Sequence, residues 1–384
     1  MIVAVASLLG TTPGVAAATL PGGTAAAAST AGWHIQHTPN PTGAVYTNLY
    51  GVACPTPSLC MAVGFYVTHT GTFPLVERWN GTTWAIDRTA DPPGAHGELL
   101  GISCPTSSFC AAVGDRFPNT STVLTLVELW NGNGWTFHPT PNRRGATSNI
   151  FLSAACPSST SCTAVGYYHT STSPNNILVE HWNGTAWAIG SVPKPANVTY
   201  NEFVHVACAT TSACQAVGWY GKQNGGEYTL AERWNGGTWG IEPTPSPGVN
   251  QSDLFGVACA SASACTSVGS YLPGPIPLAE RWSGSAWVRQ IPSSPTNDSE
   301  LVGVTCPVVT ACTAVGGFYT ASSAQVVLAE HWNGSSWATQ ATPTPSGAVD
   351  SLFQGVACQP TACVAVGYFL DSAGNAFTLA ERDA

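Results

Sequence analysis

The chain has 384 residues, only 8% of them charged, with 11 Lys and Arg against 20 Asp and Glu and a net charge of −9. An average soluble protein carries roughly 25% charged residues; here Gly, Pro, Ser and Thr supply the polar surface instead. So few basic residues argue against nucleic acid, whose binding rests on neutralising phosphates, and no apolar run reaches the length of a membrane span.

In chain order, the first thirty residues differ from the rest. Ile2 to Leu9 is a short apolar run, and Val15-Ala16-Ala17-Ala18 follows it. This has the pattern of the apolar core and small-residue cleavage site of a secretory signal. The positive leading segment of such a signal is missing, which on this reading puts the true start upstream; the alternative is an Ala-rich tail. Residues 1–30 are therefore expected to be a signal and linker, and residues 31–384 the folded domain.

From there one pattern recurs seven times: an apolar stretch ending in Cys, a second Cys, Ala-Val-Gly or a near copy, and a Glu, followed in the first six units by Trp-Asn-Gly or a near copy and a second Trp. The first cysteines are Cys54, Cys104, Cys156, Cys208, Cys259, Cys306 and Cys358, spaced 47–52 residues apart. A period near fifty with several short strands per unit marks a propeller or a stacked array. In the first full unit, Leu49 to Cys54, Cys60 to Tyr66, Pro74 to Trp79 and Trp84 to Arg88 read as four strands. Asn80-Gly81 between the last two is a strong hairpin signal. Four short antiparallel strands per unit make a propeller blade.

The ends favour a ring over an array. The last unit stops at Leu379-Ala380-Glu381-Arg382-Asp383-Ala384, so its fourth strand is absent, while Gly32-Trp33-His34-Ile35-Gln36 matches the fourth strands that begin at Trp84, Trp135, Trp187, Trp239, Trp287 and Trp337. A blade assembled from both termini would remove open sheet edges. The fold expected is all-β: a seven-bladed β-propeller of four-stranded antiparallel blades, closed by the N-terminal strand completing the C-terminal blade.

The 14 Cys form close pairs: 54/60, 104/110, 156/162, 208/214, 259/265, 306/312 and 358/363. Each pair brackets a turn between two strands, where disulfide distance is within reach. Zinc sites prefer other spacings, and no His recurs nearby. Disulfides are expected rather than reduced core cysteines or metal, and with them an oxidising, extracellular setting.

Val63-Gly64 after a Cys, followed by Val76-Glu77-Arg78-Trp79-Asn80-Gly81-Thr82-Thr83-Trp84, resembles a kelch repeat over essentially residues 31–384. Kelch units usually carry a Gly pair, present here only as Gly316-Gly317. The Trp-Asn-Gly-x-x-Trp hairpin is also similar to repeats of secreted propeller lectins. The resemblance implies a binding platform. No copper-site motif of galactose oxidase is matched, so no catalytic residue carries over, and fold alone does not imply function.

Columns that repeat in every unit suggest structure. Glu77, Glu128, Glu180, Glu232, Glu280, Glu330 and Glu381 occupy one such column, expected to pair with donors between blades, and the Trp columns are expected in the core. Specificity should come from departures from the repeat. Glu98, Glu202, Asp253 and Glu300 lie six residues before their Cys, where Asn48 stands in the first unit. They would form an acidic rim at one channel mouth, either solvated or able to hold Ca²⁺. After the second-strand glycine come Trp219 and Tyr220, with Tyr168 and Arg116 at the position of Tyr220 in other units; His205 replaces a usual Gly. Aromatic faces with carboxylates and amides suit sugar rings; the alternative is packing between blades.

The residues expected to bind ligand are Trp219, Tyr220, Tyr168, Arg116, His205 and Glu202. The function expected is a secreted binding protein recognising glycan or cell-envelope material through one propeller face. The alternatives are a polysaccharide lyase or glycosidase using His205, Arg116 and Glu202, and a structural or adhesion module binding another protein. Enzymatic activity is not the leading expectation. No cofactor is expected. The expected partner is a glycan or cell-surface polymer, with no nucleic acid and no membrane span, the chain acting as a monomer.

Overall fold

The structure is a computed structural model, and it describes residues 32–90, 96–171, 174–223 and 225–383. The expected signal segment lies outside them. All regular structure in the described residues is strand. Five separate four-stranded sheets are joined by an eight-stranded one, in which two four-stranded sets share a single parallel bridge between Val123 and Ser148. The strands thus fall into seven four-stranded antiparallel units. Unit 1 comprises Tyr46–Thr56, Leu59–Thr68, Gly71–Trp79 and Trp84–Asp87. Unit 4 comprises Val198–Thr210, Ala213–Lys222, Glu227–Trp234 and Trp239–Glu242. The first strand begins earlier than the apolar pattern implies, at Tyr46 rather than Leu49, because Thr47 and Asn48 are also buried.

Unit 7 is completed from the other end of the chain. Trp33–Gln36 pairs antiparallel with Ala376–Asp383, with Trp33 opposite Asp383 and Gln36 opposite Ala380. Unit 7 also packs on unit 1. Leu49, Val52 and Leu75 share a buried cluster with Val364, Val366 and Ala380. The Thr47 hydroxyl donates to the Ala376 carbonyl at 2.9 Å, and the Arg382 guanidinium stands 5.8 Å over the Trp79 ring.

The repeated motif has a local physical cause at each step. In Trp-Asn-Gly-x-x-Trp, Asn80 Oδ1 accepts from the backbone N–H of Thr82 and of Thr83, both at 2.9 Å, and Gly81 takes φ +97°. Asn closes the turn through its own side chain and Gly supplies the left-handed residue. Trp79 and Trp84 then face each other across the pair, with ring centroids 5.8 Å apart. The glycine of Ala-Val-Gly is required by close approach: a Cβ on Gly218 would collide with the Glu202 carbonyl. A bulge between Phe203 and His205 follows in the facing strand. The cysteines close the outer end of the first hairpin in every unit as seven disulfides, and no cysteine is free.

The core is a series of clusters, each shared by two neighbouring units. Alternate residues of a strand face opposite neighbours, so Val63 and Val76 of unit 1 meet Leu99 and Leu126 of unit 2, while Leu49 and Leu75 meet unit 7. Both faces of every unit are therefore buried. Of the third-strand Glu column, Glu128 accepts from the Ala90 N–H at 2.9 Å and Glu330 from the Ser293 N–H and Ser294 hydroxyl at 2.8 Å each, in the preceding unit. The carboxyl oxygens of Glu180, Glu232, Glu280 and Glu381 are instead buried without a hydrogen-bond partner, so the expected pairing does not extend to the whole column.

Candidate functional site: the inner rim

The strand register sorts the candidate residues onto different faces. Glu202 lies opposite Trp219, and Asn201 opposite Tyr220. Glu202 and Trp219 therefore share one face, and Tyr220 belongs to the other. The same register elsewhere gives the pairs Asn48–Phe65, Glu98–Asp115, Ile150–Tyr167, Asp253–Ser270, Glu300–Gly317 and Leu352–Tyr368. These seven cross-strand pairs occupy one equivalent position in the seven units, and we refer to them as the inner rim.

Tyr168, Tyr220 and Arg116 sit one residue further on, in the seams between units. Tyr168 packs against a cluster containing Val113, Val127 and Leu129 of unit 2, with Arg143 5.4 Å over its ring. Tyr220 packs against Val165 and Val179 of unit 3 and tilts onto Tyr228 with centroids 5.6 Å apart. Arg116 stands 5.5 Å over Phe137.

His205 joins first strands together. Its Nδ1 accepts the Val257 N–H of unit 5 at 3.4 Å, as Ser153 Oγ accepts the Val206 N–H at 3.3 Å. Burial lowers the His205 pKa to about 4. The imidazole is thus neutral at physiological pH, as an acceptor Nδ1 requires. Of the six candidates, the structure brings together Trp219 and Glu202.

The rim is acidic and poorly hydrated. Glu98, Asp115, Glu202, Asp253 and Glu300 are each at most 6% exposed. Loss of hydration raises Glu202 to about 7 and Asp253 to about 8, and pushes Glu300 up. Glu98 and Asp115 are directly opposite each other; burial raises both, and the Glu98 charge raises Asp115 further. Amides hold some of these carboxyls. Asn175 Nδ2 donates to Glu202 at 2.6 Å, Gln251 Nε2 to Asp253 at 2.6 Å, and Gln325 Nε2 to Glu300 at 3.2 Å.

Electrostatic coupling runs from unit to unit. Burial raises the Tyr167 hydroxyl pKa, and Glu202, Asp115 and Glu98 add to it. Tyr50 is raised by burial and then by Tyr46, Glu98 and Tyr368. Tyr368 in turn feels Tyr46 and Glu300. Trp219 is half-buried and meets Phe255 of unit 5 edge-on, with centroids 5.9 Å apart at 86°. Phe65 lies between Tyr46 and Tyr50, stacked at 5.8 and 5.6 Å.

Sequence reasoning missed Tyr46, Tyr50, Phe255 and Asn175. A signal existed for two of them. Tyr50 and Phe255 are the aromatic members of a column that otherwise holds Leu100, Leu152, Val204, Val302 and Gln354. Among the described residues no group of three or more His, Cys, Asp or Glu is arranged to hold a metal ion. A separate groove of about 440 Å³ lies where the Trp33–Gln36 strand meets unit 1, lined by Ile35, Gln36, His37, Trp79, Thr82, Thr83 and Trp84.

No protein-family model matches the chain, and no curated protein does. Among solved structures it is similar to YCF48 bound to D1 peptide, at 11% identity and TM-score 0.56, over 93% of this chain and 98% of that one. It is similar to an ulvan lyase of polysaccharide lyase family PL25, at 9% identity and TM-score 0.54, over 88% of this chain and 94% of that one. A GH74 xyloglucanase from Xanthomonas campestris matches at 11% identity and TM-score 0.53, over 91% of this chain and 55% of the enzyme. At these identities the likeness is one of fold. The neighbours are β-propeller-type proteins, and this chain shares that all-β architecture of repeated four-stranded sheets.

Proposed function

We propose that the chain is a secreted binding protein, a kelch-like, closed seven-bladed propeller that recognises glycan or cell-envelope material at its inner rim. One observation carries the reading: the half-buried Trp219, set edge-on to Phe255, shares its face with Glu202, which is positioned by Asn175. An aromatic wall beside a fixed carboxyl and amide offers a sugar both a surface for its C–H face and partners for its hydroxyls. The packing of unit 7 on unit 1 supports ring closure. Seven disulfides support an oxidising compartment. Two similar structures are enzymes named for polysaccharides, which fits a glycan partner.

The test is a glycan array probed with the wild-type chain and Trp219→Ala. Binding to at least one polysaccharide class, lost in the variant, is the expected result. A wild-type chain that binds nothing on the array overturns the reading. A second reading, glycoside hydrolysis, draws on the facing carboxyls Glu98 and Asp115, since glycosidases use paired acids in different protonation states. Release of new reducing ends from a bound polysaccharide, abolished in Glu98→Gln, would establish it, and an unchanged polymer would exclude it.

A further inference from the structure

We propose that the glycan taken by the inner rim is cationic, a chain of amino sugars carrying free ammonium groups; this rests on the reading of the rim as a glycan site. The polar groups left over there are acceptors. Glu98, Asp115, Glu202, Asp253 and Glu300 are buried carboxyls, which accept and do not donate when ionised. Asn48 occupies the same strand position in unit 1 and is 1% exposed. Its Nδ2 is taken by the Tyr46 hydroxyl at 3.5 Å, and its Oδ1 has no hydrogen-bond partner. An acceptor left unpaired in so dry a place costs free energy until a donor arrives.

The walls point the same way. Trp219 is half-buried and stands opposite Glu202 in the register, and aromatic faces attract cations. A neutral sugar brings hydroxyls that donate and accept in equal measure, and leaves the carboxyls without a counter-charge. An anionic polysaccharide would be repelled. An ammonium brings three donors and one positive charge, so it pairs with the carboxyls and lets Glu98 and Asp115 ionise together, the displaced proton passing to solvent.

The experiment titrates the full chain with four probes at one pH: a glucosamine hexamer, its fully N-acetylated twin, a glucose hexamer and hexalysine. The glucosamine hexamer should bind at least about tenfold more tightly than the acetylated twin, and less tightly as salt rises. Glu98→Gln combined with Asp115→Asn, and separately Glu202→Gln, should erase that preference. These near-isosteric amides remove buried charge, so the fold should survive, which a melting curve checks. Asn48→Asp adds a carboxylate at the same rim and should widen the preference. Equal binding of the acetylated, glucose and glucosamine hexamers overturns the cationic proposal and leaves the glycan reading standing. Binding of hexalysine without any sugar, or of no probe at all, likewise overturns the cationic proposal, and the glycan array then decides the glycan reading separately.

Discussion

Replacing Glu232 with glutamine should change the pH dependence of stability more than stability itself. Glu232 is 0% exposed, and neither carboxyl oxygen has a hydrogen-bond partner. Burial raises its pKa from 4.5 to about 8. The folded chain therefore keeps this proton up to about pH 8, whereas the unfolded chain releases it near 4.5. Between those values the folded state binds more protons, so stability is fullest below pH 4.5 and falls as pH rises. Each pH unit in that window costs about 1.4 kcal/mol, which reaches about 5 kcal/mol at its upper end. Glutamine carries no titrating proton. Glu232→Gln should match the wild type near pH 4.5 and exceed it by about 3–5 kcal/mol near pH 8, as read from urea unfolding at half-unit pH intervals. Glu330→Gln is the control, because the Ser293 N–H and Ser294 hydroxyl lower the Glu330 pKa against the effect of burial, and its gain should be smaller. Parallel wild-type and Glu232→Gln profiles from pH 5 to 8 would refute the reasoning.

Three further outcomes are expected. Thiol titration of the denatured, non-reduced chain should give no signal, and the double substitution Cys208→Ala with Cys214→Ala should cost about 2 kcal/mol; stoichiometric labelling would show that the pairs are thiols in solution. Deleting residues 1–40 removes the strand paired with Ala376–Asp383 and the buried Trp33, so the truncated chain should melt lower and aggregate through the exposed edge; a monomeric truncation with unchanged melting would count against closure by this strand. Trp219→Ala should weaken ligand binding by about 1–3 kcal/mol while costing stability only about the 0.5–1.5 kcal/mol of its contact with Phe255; lost stability with unchanged affinity would place the ring in packing alone.

The architecture was legible because each structural device leaves a residue that does one job. Asn-Gly marks a turn, the Gly of Ala-Val-Gly marks a close approach, and Trp33 at the wrong end of the chain marked the strand that completes unit 7. The column of Glu98, Glu202, Asp253 and Glu300 was legible too, because acids stand out in a chain with so few charges. The face of the aromatic column was not. Trp219 and Tyr220 are consecutive, and a one-residue step in a strand reverses the face. In a half-exposed sheet hydrophobicity would say which face is which. Here both faces are buried between neighbours, so Tyr168, Tyr220 and Arg116 read like rim residues while packing in the seams. His205 was visible as a departure from Gly, but its acceptor role toward Val257 depends on the distance between first strands of different units, which no local pattern encodes.

Hydrogen–deuterium exchange with and without a bound glycan tests most directly whether the inner rim is the binding face. Protection should concentrate in segments 46–50, 97–99, 115–117, 166–168, 200–204 and 217–220. Protection confined to the groove around Gln36, Trp79 and Trp84, with the rim segments unchanged, would contradict it.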